Sequence, residues 1–247
     1  MIDDPRIIER IVYETPGLSN AIRVYARDWS TTVTFGDYGI LRSSECIGPR
    51  FSAGVPYSES LAEGFMQHES ITSHTVLVVN APPAPPFGWT VIEADNRLIV
   101  LNNRHIIDQV TSQETWTTED TNYFHNQWLR NSGTFDDQVD KSIYGVPPGR
   151  RGQSLILIGD KDDPKGVCRL TSNSGLGGLS LLAVSHEARR RGFARALLRA
   201  AAERCLNEGL GTMNLQTDGT NAAALNLYRS LGGTETGRYS YWRRDAE

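Results

Sequence analysis

The chain has 247 residues, 39% of them hydrophobic, and a formal net charge of −4 at neutral pH, enough apolar content for a core in one large or two small domains. Its mild negative balance argues against general binding to nucleic acid or to an anionic membrane. No apolar run is long enough to span a bilayer, and Asp3 and Asp4 stand where a signal peptide carries bases, so a cytoplasmic location is expected.

In chain order, residues 4–12 carry a first helical pattern, residues 31–41 contain an alternating strand, and residues 57–67 place Leu61, Phe65 and Met66 on one helical side. Residues 74–80 are rich in branched side chains and read as a strand, and the proline-rich run 81–86 cannot enter a ladder. Two further strands, 89–93 and 97–101, are joined by Asp95-Asn96 and predict a hairpin. No catalytic constellation occurs in this half. Residues 1–115 are therefore expected to form a smaller α/β domain that packs on the rest or closes a site formed there.

Thr117, Thr118, Glu119 and Asp120 give a cap signal for a helix that runs through Tyr123, Phe124, Trp128 and Leu129 and stops at Gly133. Asp136 and Asp137 start a second short helix toward Tyr144, and Pro147-Pro148-Gly149 breaks it. A strand over 154–158 turns through Asp160–Pro164 into another over 166–170. Cys46, Cys168 and Cys205 are odd in number and widely spaced. They fit neither a disulfide framework nor a zinc site and read as small core residues, and no metal is expected.

The most informative stretch follows. Residues 179–184 form an apolar run that reads as a buried strand, whereas Ala194, Leu197, Leu198, Ala201, Ala202 and Cys205 recur at helical spacing. Between them lies Arg189-Arg190-Arg191-Gly192-Phe193-Ala194-Arg195. Unpaired amides at a helix start, the helix dipole and the arginine charges suit a phosphate or pyrophosphate there. A Walker loop is excluded, since Gly-Lys-Ser/Thr is missing, and Gly175–Gly178 precedes the strand, as a hairpin turn would. Taken alone, the arginines read more simply as a solvated helix entrance. A second constellation shifts that balance. After a strand pattern at 212–217, Asn221 caps an Ala/Leu-rich helix that ends at Gly232-Gly233, with Tyr228 half buried near its end.

Together the two stretches resemble the GNAT superfamily of acetyl-CoA-dependent N-acetyltransferases. Arg189, Gly192 and Ala194 match its phosphate motif, and Asn221, Ala224, Leu227, Tyr228 and Gly232 match its second motif. The resemblance implies an α+β fold, a mixed central sheet with flanking helices, over a GNAT domain at 116–247. It implies acetyl-CoA as cosubstrate, with the pyrophosphate on Arg189, Arg190, Arg191, Gly192, Phe193, Ala194 and Arg195, the pantetheine arm along Leu182, Ala183 and Val184, and Asn221 also on the cofactor side. A main-chain NH near Leu182 or Ala183 would meet the oxyanion, and Tyr228 would face the thioester sulfur as proton donor. Residues 179–182 lack the carboxylate that many relatives use as base. His186, just after the strand, reads as an exposed bystander.

Residues 123–137 and Tyr239-Ser240-Tyr241-Trp242 look like the bacterial TDP-fucosamine acetyltransferase family, which acetylates the 4-amine of a TDP-linked dideoxy sugar. That likeness implies a nucleotide-linked amino sugar as acceptor, with His125, Trp128, Phe135 and Asp136 as candidate contacts. A protein or peptide N-acetyltransferase, a small-molecule (antibiotic or polyamine) N-acetyltransferase and a non-enzymatic acyl-CoA-binding module are the alternatives. A homodimer could form through an edge strand near the C-terminus.

Overall fold

A computed structural model describes residues 31–35, 39–43, 52–55, 75–79, 89–133, 153–173 and 176–244. The helices expected at 4–12, 57–67 and 136–144, and Cys46, lie outside them. Two compact units divide the chain, unit 1 comprising Met1–Leu98, Gln216–Ala222 and Glu235–Glu247, and unit 2 comprising Ile99–Leu215 and Ala223–Thr234.

In unit 1, strands β1 (Thr31–Phe35), β2 (Gly39–Ser43), β3 (Ser52–Val55) and β4 (Thr75–Val79) lie side by side. Strand β5 runs unbroken from Trp89 to Asn102, so the expected hairpin at Asp95-Asn96 does not form. A two-residue reversal of type I′ needs positive φ at both positions. Only Asp95, at φ 58°, has it. Its NH donates to Ser240 Oγ at 3.3 Å and its carbonyl accepts from the Gly219 NH at 2.9 Å, long-range bonds that outweigh the local turn preference. The C-terminal strand, here β11 (Thr234–Arg244), pairs antiparallel with β4 and lies between β4 and β5. It is not an edge strand, which removes the expected basis for pairing between chains.

Unit 2 is built on the order β5-β10-β9-β8-β7-β6, where β6 is Thr115–Thr118, β7 Gln153–Gly159, β8 Pro164–Asn173, β9 Leu176–Val184 and β10 Thr212–Asp218. Strands β7 to β9 are antiparallel neighbours and β10 runs parallel to β9, giving the mixed sheet and α+β class expected. Gly177 and Gly178 lie inside β9 and not in a turn. A side chain at Gly177 would meet Cys205 Sγ at 2.8 Å, so the glycine is set by close packing.

Helix α1 (Asn103–Gln109) is followed by α2 (Thr121–Ser132), which begins later than its cap signal suggests because Thr115–Thr118 pair with β7. The Asp120 carboxylate caps α2 by accepting from the Tyr123 NH at 2.9 Å, and left-handed Gly133 ends it. Helices α3 (Phe193–Asn207) and α4 (Ala222–Ser230) complete the α-helices of the described residues.

Alternation along the strands sends side chains to two faces. Ile156, Ile158, Cys168 and Leu170 pack with Leu197, Leu198, Ala201, Ala202 and Cys205 of α3, whereas Leu155, Leu157 and Val167 pack with Phe124 of α2. The small residues of α3 let it approach the sheet closely, and each fully buried leucine contributes about 1.5–3 kcal/mol. Ile99, Leu101, Ile106 and Val110 belong to the α3-side core. Both described cysteines are free and buried, as expected of core residues.

Candidate active site

Strand β9 carries one irregularity that sets up the site. Along β8, Val167 pairs with Ala183 and Arg169 with Ser180, so β9 holds one more residue than β8 across that interval. The surplus is accommodated at Leu181, whose φ is 53°. Side-chain phase flips there. Leu179 joins the α3-side core before the bulge, but Leu182 and Val184 do so after it, with Leu181 and Ala183 turned to the α2 side. The parallel ladder to β10 covers Gly177, Gly178 and Leu179 and ends at Leu179/Leu215. Beyond it, the β9 edge at Leu182–Val184 that faces away from β8 has no strand partner among the described residues. An extended polar ligand can hydrogen-bond to such an edge.

A 3₁₀ turn, His186–Ala188, leads from β9 to α3, with His186 exposed as expected. Arg190 at φ 65° and Gly192 at φ 86° are both left-handed, and left-handed residues within a turn are one way a backbone can form an anion nest. Gly192 is the N-cap of α3, without a side-chain cap, and the first helical bond runs from the Ala196 NH to the Gly192 carbonyl at 3.0 Å. The amides of Phe193, Ala194 and Arg195 thus have no carbonyl partner within the helix. Arg189, Arg190 and Arg191 are exposed, and three of the four arginines make one contact each with the protein. Arg189 Nε donates to the Val184 carbonyl at 3.3 Å, the Arg191 guanidinium lies 5.5 Å from the Phe193 ring centroid, and Arg195 Nη2 donates to Ser230 Oγ at 2.6 Å.

Tyr228 is the one buried residue of α4, 6% exposed within the α3-side core that also holds Cys168. The sequence predicts a half-buried ring; the helix instead turns this residue squarely into the core. Burial, reinforced by the nearby Cys168, pushes the phenol well above its ordinary pKa, so it keeps its proton at any working pH. Burial likewise raises the Cys168 thiol to about 12 and Cys205 to about 11. Neither is a thiolate near neutrality.

On the α2 side, His125 is 3% exposed with its ring 6.0 Å from that of Trp128, which is half buried. Phe135 and Asp136, with Asp137 and Tyr144, lie outside the described residues. Asn221 is exposed in unit 1, where its NH donates to the Asp218 carbonyl at 3.0 Å just before α4. Arg169 was not singled out by the sequence, yet it is fully buried on β8 opposite Ser180, with Nε donating to Gln153 Oε1 at 3.0 Å. A charged residue inside an apolar strand run was the signal available for it.

Among the described residues no helix is long and apolar enough to cross a membrane. The family model for the acetyltransferase (GNAT) family matches residues 107–232. Comparison with curated proteins found no match. Among solved structures, a GCN5-related N-acetyltransferase from Kribbella flavida aligns over 95% of this chain and 96% of its own at 14% identity and a TM-score of 0.60. A GNAT-family protein from Novosphingobium aromaticivorans aligns over 97% and 99% at 18% identity and 0.58, and a tandem GNAT protein from the clavulanic acid biosynthesis pathway over 97% and 95% at 13% identity and 0.50. These show the same fold. With the family model spanning the bulged strand, the loop from Arg189 to Gly192 and the helix of Tyr228, the chain belongs to the GNAT family of acetyl-CoA-dependent acetyltransferases and is an enzyme of the acyltransferase class.

Proposed function

We propose that acetyl-CoA lies along β9 past the bulge, with its pyrophosphate on the amides of residues 190–195, its pantetheine arm against Leu182, Ala183 and Val184, and Tyr228 at the sulfur. The observation that carries this reading is the bulge at Leu181, two residues past the end of the β10 ladder, beyond which the β9 edge has no strand partner among the described residues. A neutral amine attacks the thioester carbonyl, a main-chain NH near Leu182 or Ala183 receives the developing oxyanion, and the phenol of Tyr228 donates to sulfur as the C–S bond breaks. The strand carries no carboxylate. The amine proton therefore leaves through water or through a group elsewhere in the chain. Residues 116–247 supply this chemistry.

The acceptor we favour is a nucleotide-linked amino sugar such as a TDP-4-amino-4,6-dideoxyhexose. The likeness of residues 123–137 to the amino-sugar enzymes supports it, with Trp128 and Phe135 as an aromatic wall and His125 and Asp136 near the amine. Release of free thiol from acetyl-CoA over a panel of amines tests both levels. TDP-amino sugars should give kcat/KM orders of magnitude above free amino sugars, since the distant nucleotide helps position the amine. Equal rates with peptides, polyamines or aminoglycosides would remove the sugar-nucleotide acceptor. No thiol release with any amine, despite CoA binding, would favour a binding module.

A further inference from the structure

The loop between α1 and β6 brings a side chain to the phosphate nest that no motif predicts. A Cβ built on Gly192 would stand 3.5 Å from Gln113 Nε2, the one atom of another described segment within 4 Å. Gln113 is exposed and its amide makes no hydrogen bond to other described residues. The end of α1 from which its loop leaves is held in place. Arg199, on α3, sends Nη1 to the carbonyls of Ile107, at 2.5 Å, and Val110, while its Nε binds Glu203 at 2.8 Å. The Val110 NH closes the end of α1 on the Ile106 carbonyl at 3.0 Å. Arg189, Arg191 and Arg195 each direct part of their guanidinium to the protein, so a neutral donor standing over the helix start has a place in the phosphate shell that they leave.

We propose that Gln113 is a cosubstrate-binding residue whose side-chain amide donates to a phosphate oxygen of the CoA diphosphate, with Arg199 as the positioning residue that holds its loop against α3. This rests on the reading of residues 190–195 as the pyrophosphate site. The amide fits a phosphate oxygen because it donates without adding charge, and Gly192 leaves it room to approach. A hydrogen bond to a charged acceptor is among the stronger kinds.

The test is CoA titration of the full chain by calorimetry, at low and high salt, with circular dichroism verifying each fold. Gln113→Ala should weaken CoA binding about three- to thirtyfold. Gln113→Glu should weaken it further, because a carboxylate then faces the diphosphate, and the excess over Gln113→Ala should shrink in high salt. Both variants within twofold of wild type, or equal losses for Ala and Glu at low salt, would overturn the proposal. Gly192→Val in the same series separates the two levels. If it leaves CoA affinity unchanged, the pyrophosphate site itself is misplaced and the role of Gln113 falls with it; if it weakens CoA while the Gln113 variants do not, only the inference about Gln113 fails.

Discussion

Strands β5 and β9 each contain one non-glycine residue in the left-handed region, Asp95 at φ 58° and Leu181 at φ 53°, and the surroundings of the two differ. Around Asp95 the irregularity is closed. Its NH and carbonyl both find partners, and its carboxylate accepts from Arg97 at 2.5 Å while Arg97 also binds Glu235 at 3.0 Å. Aspartate tolerates this conformation better than most residues. Around Leu181 the irregularity is open. A leucine at positive φ is strained by about 1–3 kcal/mol, the ladder to β10 stops two residues earlier, and the strand edge beyond has no strand partner among the described residues. The same backbone feature is thus a structural joint in one strand and the proposed docking edge in the other, and the difference lies in whether a neighbouring strand or loop pairs with it.

If that contrast is right, changes around the open bulge act on catalysis and changes around the closed one act on stability. Tyr228→Phe should show the largest effect, with turnover down about ten- to a thousandfold and CoA affinity nearly unchanged, because the ring still fills its place in the core and only the proton is lost. Thiol-release kinetics at saturating acetyl-CoA check this. Gly192→Val should raise the dissociation constant for CoA by about tenfold or more, since a β-branched residue resists φ 86° and its side chain approaches Gln113.

The next comparison is the sharpest. Asp95→Ala should lower unfolding free energy by about 1 kcal/mol in denaturant titrations and leave kcat and the KM for acetyl-CoA unchanged, since it removes ion pairs and a tolerant left-handed residue. Leu181→Gly relieves backbone strain but loses part of a half-buried side chain, so stability should move by less than about 1 kcal/mol. Its kcat should fall severalfold, as a glycine no longer fixes the direction of the neighbouring amides. Identical phenotypes for the pair would erase the distinction between the two strands.

The smallest effect is alkaline. The Cys168 thiol rises from 9.0 to about 12 and Cys205 from 9.0 to about 11, both chiefly through burial. The folded chain keeps protons that the unfolded chain loses above pH 9, so this contribution is fully present below pH 9 and declines as pH climbs toward 12. Tyr228, raised in the same direction, acts in the same sense above its ordinary value of 10.0. Resistance to thermal unfolding should therefore weaken above pH 9, and activity should show no Tyr228 ionisation limb between pH 7 and 10.

These effects trace to features that were unequally legible in the sequence. The strand at 179–184, the helix starting beside Gly192 and the stop at Gly232 were readable because apolar period, glycine and caps all agree locally. Asp95-Asn96 misled because its turn chemistry is local, whereas its partners Gly219 and Ser240 are distant in sequence. Leu181 gave no sign of a bulge, since leucine is an ordinary strand residue and the irregularity comes from pairing with β8. Gln113 is a single amide in a short loop, and only the folded path of Arg199 brings it to Gly192. Tyr228 was found by motif, but its depth depends on how α4 meets the core.

Amide hydrogen exchange with and without CoA tests the central claim most directly. The account predicts new protection at Leu182–Val184 and at Gly192–Arg195, with the residues around Asp95 unchanged because their main-chain groups are already bonded. Protection absent from both segments while CoA is bound, or spread equally to β5 around Asp95, would contradict the assignment of the open strand edge as the cosubstrate site.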